Sequence, residues 1–134
     1  MRQKLYLTLD DVLAMTAACK AEAIRNKWEV SIAIVDDAGI LFAFERMDGA
    51  AVGTAAFALA KAETAASTKR STLVMEQRVR ESPGFATLPG THVQGGLPIL
   101  HDGFCLGGIG ISGVKSEFDE QIAQAGIDAL TSRS

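Results

Sequence analysis

The 134 residues, 48% of them hydrophobic and 22% charged with a formal net charge of -3, suit one soluble domain spanning 1–134 that needs neither disulfides nor a structural metal to build a core. The mild negative charge and the lack of any Lys/Arg-rich run exclude a nucleic-acid surface, and no apolar run approaches the roughly 18 to 20 residues that span a bilayer. Residues 1–5 show no leader-like apolar stretch, so the expectation is a cytoplasmic protein with neither nucleic acid nor membrane as partner. Only 6% of the residues are aromatic against 13 glycines, so the core is packed from small parts. Cys19 and Cys105 have no C-x-x-C partner and read as inert, free thiols.

Thr8 can cap a first helix over about 8–26, with Asp11 as its reciprocal partner. Leu9, Val12, Leu13, Thr16, Cys19, Ala23 and Ile24 supply the apolar stripe of that helix. Residues 30–35 form a β-rich run with little polar alternation, which predicts a strand covered on both faces. Asp36-Asp37-Ala38-Gly39 is turn chemistry and 40–44 is the second strand of a hairpin. From 50 to 66, nine of 17 residues are alanine, predicting a helix able to approach its neighbours closely. A short helix over about 72–80 ends at Pro83-Gly84. Residues 82–96 form a long loop, of the kind that often carries function. Strands at 97–101 and 104–111 flank the turn Asp102-Gly103, with Pro98 placing the first of them near an edge or at a strand start. Ser116, with Asp119 three positions on, caps a final helix whose stripe is Phe118, Ile122, Ala125, Ala129 and Leu130. The order αββα(α)ββα with two hairpins gives an α+β fold on an antiparallel sheet.

Gly108-Ile109-Gly110-Ile111-Ser112-Gly113 matches the letters of a dinucleotide fingerprint. No strand can follow the helix after it, so no nucleotide site is expected, and the glycines mark a close approach to the sheet. His92 and His101 share no metal-ligand spacing with other residues, which excludes a closed structural zinc site. His92, in the long loop, remains a candidate ligand or acid/base group, whereas His101 beside the hairpin reads as exposed. Arg46 and Asp48 form either part of a site or a salt bridge that fixes the turn. Lys61, judged by periodicity alone, reads as solvated.

Residues 26–39, Phe44 to Ala50, Ala60 to Ala65, Gly95-Gly96-Leu97-Pro98-Ile99 and Gly108 to Gly113, in this order, resemble the GlcG/HbpS family of small haem-binding or haem-degrading-type domains. The resemblance runs from about Leu7 to Leu130. It implies a profilin-like three-layer α/β/α sandwich with a central antiparallel sheet, assembled as a dimer, tetramer or octamer. It further implies a pocket wall built from Arg46, Asp48, Lys61, Thr64, Gly95, Gly96, Ser112 and Gly113. Haem or a related tetrapyrrole is the ligand the family name suggests. The first helix contains Met15 and Cys19 but no histidine, so His92 becomes the axial candidate for haem iron. Three functions follow as expectations: a homo-oligomeric small-ligand-binding protein, an enzyme on a carboxylate metabolite with Arg46 and Lys61 holding the anion and His92 as acid/base, or a non-catalytic assembly or regulatory accessory protein.

Overall fold

The computed structural model describes residues 1–133. Helix α1 (Leu9–Arg25) is followed by β1 (Ser31–Asp36), β2 (Leu41–Arg46), α2 (Thr54–Thr68) and α3 (Thr72–Glu81). A 3-10 turn (Pro83–Thr87), β3 (Gly96–His101), β4 (Phe104–Ser112) and α4 (Ser116–Arg133) complete the chain. All strand pairs are antiparallel and the order across the sheet is β2-β1-β4-β3. The α+β class is as the sequence predicts, and the Pro98 strand takes the edge, one of the two places expected for it.

Local chemistry accounts for the element ends. Thr8 and Asp11 close the expected capping box at α1. Asp102 (φ 49°) and Gly103 (φ 80°) both take positive φ, as a two-residue hairpin turn matched to the strand twist requires. Helix α2 starts at Thr54, four residues later than its alanine run suggests. Its first hydroxyl is anchored on the sheet, where Ser31 and Thr54 share a 2.9 Å hydrogen bond, and the chain before it is spent in turns.

Helices α1 and α4 pack together on one face of the sheet, while α2 alone lies across β4, β1 and β3 on the other, giving three layers. The α1/α4 layer holds the larger core: Val12, Met15, Cys19, Ile32, Ile34, Ile99, Ile109, Ile111 and Ile122 are fully buried. The α1 stripe is narrower than expected. Leu9, Leu13 and Ile24 are exposed and Met15 takes the central place, because α1 shares this face with α4 and buries only the side turned to both. Burial among these apolar groups pushes the Cys19 thiol up to about 12, which keeps it protonated and inert. The α4 stripe likewise shifts, to Asp119, Ile122, Ala123 and Gly126.

The α2 face is built differently. Ala33 and Val35 of β1 meet Ala58, Ala62 and Ala66 of α2. On β4, Gly108 and Gly110 alternate with Ile109 and Ile111, so the isoleucines face α1 and α4 while the glycines face α2. A side chain at either glycine would overlap the backbone carbonyl of Ala62 or Ala58. The apparent fingerprint is therefore a strand stripped of side chains so that an alanine helix can lie directly on it.

Candidate functional site

Close seating of α2 carries Lys61 against the ends of β3 and β4. There the lysine is 4% exposed rather than solvated, contrary to its periodicity, because the absence of a side chain at Gly95 leaves room for a buried amine. Its Nζ donates to the Ile111 carbonyl at 2.9 Å and to Asp119 Oδ2 at 3.2 Å. Asp119, 2% exposed, sits in the first turn of α4. Its Oδ1 accepts from the Val114 N–H at 3.2 Å, so the carboxylate is spent on the preceding loop and on Lys61 instead of completing a capping box with Ser116. Burial pushes the Asp119 carboxyl above its ordinary value, against the opposing pull of Lys61 and of the Val114 N–H.

This ion pair forms part of the wall of a cleft of about 460 Å³, lined also by Phe57, Thr91, Val93, Ser112, Val114 and Ser116. Ser112 is 7% exposed, and its hydroxyl has no hydrogen-bond partner among the described residues. Beside it the first N–H groups of α4, at Ser116 and Glu117, donate to no acceptor among the described residues, which leaves the positive end of that helix open to an electronegative atom. One amine hydrogen of Lys61 is also uncommitted, since an ammonium has three and two are used. The cleft thus combines an apolar rim with donors directed at oxygen.

The other expected residues fall into distinct places. Gly95 is at φ +132°, and a Cβ there would lie 2.7 Å from Lys61 Nζ, so glycine at this position makes space for the amine. Gly96 N–H donates to Thr72 Oγ1 at 2.8 Å and its backbone abuts the Lys61 carbonyl. Thr64, one turn after Lys61, accepts from the Thr91 N–H at 2.8 Å and ties the long loop to α2, with a separate hollow of about 630 Å³ beside it. Gly113 packs on the Glu29 carbonyl. Arg46, Ser31 and Ser112 lie in one row across three strands, so Arg46 shares the cleft's face of the sheet but stands two strands away, roughly 10 Å. Arg46 and Asp48 are both exposed, and no ion pair joins them among the described residues.

His92 is half-buried and does not line the cleft. Thr91 and Val93 do, and the intervening ring is turned edge-on to Phe85 at 5.5 Å. His101 is less exposed than its turn position suggests. Its side chain keeps 29% of its surface, pairs with Asp102 at 3.4 Å and lines a second cleft of about 250 Å³ with Leu5, Tyr6, Asp11, Leu106, Leu130 and Arg133. What sequence reasoning missed is Asp119, whose Ser-x-x-Asp spacing signals a cap. The contribution of Phe57, Val93 and Val114 carries no local signal at all.

Comparison with known proteins agrees with this architecture. A family model described as haem degrading protein HbpS-like matches residues 7–128. Protein GlcG of Escherichia coli K12 is 40% identical over 114 residues, which cover 84% of this chain and 85% of GlcG. The crystal structure of a Streptomyces reticuli HbpS double mutant superposes with a TM-score of 0.90 at 32% identity, covering 97% of this chain and 90% of that one. The crystal structure of a PduOC:heme complex gives 0.86 at 32% identity, covering 93% and 95%.

Proposed function

The chain belongs to the HbpS-like family, and from that premise we propose that it is a cytoplasmic, homo-oligomeric small-ligand-binding protein whose ligand enters the Lys61–Asp119 cleft. The observation that carries this reading is the buried amine and its carboxylate on the wall of an apolar-rimmed cleft, next to the unpartnered Ser112 hydroxyl. A site that directs a hydroxyl and a helix N-terminus at one space suits a small ligand bearing an oxyanion. No helix among the described residues is long and apolar enough to cross a membrane. Self-association is favoured by β2, an edge strand that α2 does not cover. Phe42 and Phe44 are exposed on its α2 side, and Val52 and Phe57 are exposed nearby in sequence and on α2.

A haem iron needs His, Cys, Met or Tyr, and none of these lines the Lys61 cleft. The donor set there does not fit iron, and His92 is not among the residues that line it. The haem-bound relative favours a second reading, a tetrapyrrole at the other cleft, where His101 stands among Leu5, Leu106 and Leu130 with Tyr6 and Arg133 at hand. Titration distinguishes the two. In the first reading small carboxylates raise the melting temperature of the protein, Ser112→Val weakens that effect, and haemin added at equal concentration gives no Soret shift. A stoichiometric Soret shift lost in His101→Ala and kept in His92→Ala would establish the second reading instead. Light scattering of wild type against Phe44→Ser tests the assembly, which fails if both run as monomers.

A further inference from the structure

Placement of Lys61 permits more than binding. A lysine held in a cleft wall with a buried carboxylate 3.2 Å away has a proton acceptor for its own ammonium and a nearby site where an electrophile can lodge. The cleft also offers more than the ion pair to a ligand. Ser112 and the open N–H groups of α4 line it beside the Lys61–Asp119 pair, where an anionic group would rest, while Phe57 and Val93 offer an exposed apolar rim to the rest of it. Anion binding alone does not explain why an aspartate accompanies the lysine, since a carboxylate beside the amine repels a second one. A neutral carbonyl meets no such repulsion.

We propose that Lys61 captures the carbonyl group of a small aldehyde or 2-oxo acid as an imine, with Asp119 moving the protons; this rests on the ligand-cleft reading above. Asp119 takes a proton from the Lys61 ammonium, and the free amine adds to the carbonyl carbon. The C–N bond forms as the carbonyl π pair moves to oxygen. Asp119 gives its proton to that oxygen and receives one from the nitrogen, leaving a neutral carbinolamine. It then protonates the hydroxyl, which departs as water while the nitrogen lone pair closes the C=N bond. The ammonium and the carbonyl have become a protonated imine and one water, with Asp119 again a carboxylate facing it. No oxidant, reductant or metal enters the balance. The buried aspartate is placed to stabilise the cationic imine as well as to relay protons.

The test uses the full-length chain with pyruvate and propanal as probes, sodium borohydride to fix any imine as a secondary amine, and peptide mass mapping. Five lysines, Lys4, Lys20, Lys27, Lys69 and Lys115, are available on or near the surface as internal controls. The expected result is labelling at buried Lys61 at least about tenfold faster than at any of them, with pyruvate retained better than propanal. Lys61→Arg keeps a cation beside Asp119 and abolishes the adduct, while Asp119→Asn slows its formation by roughly 100-fold with the fold intact by circular dichroism. Labelling that simply follows exposure overturns the proposal. If pyruvate still shifts the melting temperature in that case, covalent capture fails and the binding reading stands. If pyruvate and other small carboxylates neither bind nor label, both fall.

Discussion

The two faces of the sheet solve the same packing problem with opposite materials. On the α1/α4 face, isoleucines, Met15 and Val12 interdigitate, and stability comes from apolar area removed from water. On the α2 face, alanines lie on glycines and the helix backbone approaches the strand directly. The first arrangement tolerates small changes of shape. The second cannot accept even one added carbon in places, yet it alone brings a long polar side chain into register with the strand ends. A functional cleft on the α2 side is a consequence of that close approach: a helix held farther off by larger side chains would leave Lys61 unable to reach the Ile111 carbonyl.

The sharpest way to break this contrast is to place a side chain between β4 and α2. Gly110→Val sets new carbons into the Ala58 carbonyl and the Ala62 N–H, and is expected to cost about 4 kcal/mol or more in urea denaturation, enough to lose the fold. Ile109→Val, one residue away but on the other face, should cost only about 1 kcal/mol. Equal losses would erase the distinction.

Lys61→Met comes next, at about 3–5 kcal/mol, because it leaves the Asp119 carboxylate buried without its partner. The sign of its pH dependence follows from burial. The folded carboxyl binds its proton more tightly than the unfolded chain does, so the folded state carries the extra proton and loses stability as pH rises above the ordinary value of 3.8. Lys61 opposes that shift, so its removal enlarges it. The variant's deficit should therefore be smaller at about pH 5 than at about pH 8, measured by denaturation at both. A pH-independent deficit would mean that Asp119 is not the group left unpaired.

Met15→Ala should cost about 2–5 kcal/mol as a cavity opens between α1, α4 and the sheet. Leu13→Ala, on the same helix but 52% exposed, should stay within about 0.5 kcal/mol. Comparable effects at the two positions would restore the wider stripe that simple periodicity suggests.

Much of this was legible along the chain. Thr8 with Asp11, the Asp102-Gly103 turn, the β-rich run 30–35 and the alanine-rich helix each carry a local physical signature, and each element stands within a few residues of its expected place. Where local rules misled, they did so at positions shared between elements. Asp119 obeys the spacing of a helix cap but serves Lys61, 58 residues earlier. Lys61 stands where an isolated helix would expose it, and His92, set in a flexible-looking loop, spends its ring on Phe85.

Sequence by itself determined the element order, the antiparallel hairpins, the small-residue composition of one layer and the family resemblance, because turns, caps and strand periodicity depend on residues only a few positions apart. Tertiary structure alone decided which side chains meet. Burial of Lys61 exists only because Gly95 vacates the space its amine fills while the glycines of β4 let α2 lie close to the sheet, and its charge is tolerable only because Asp119 and the Ile111 carbonyl arrive from distant parts of the chain. Solvation and pairing are properties of a place in space, and that place is made by four elements at once.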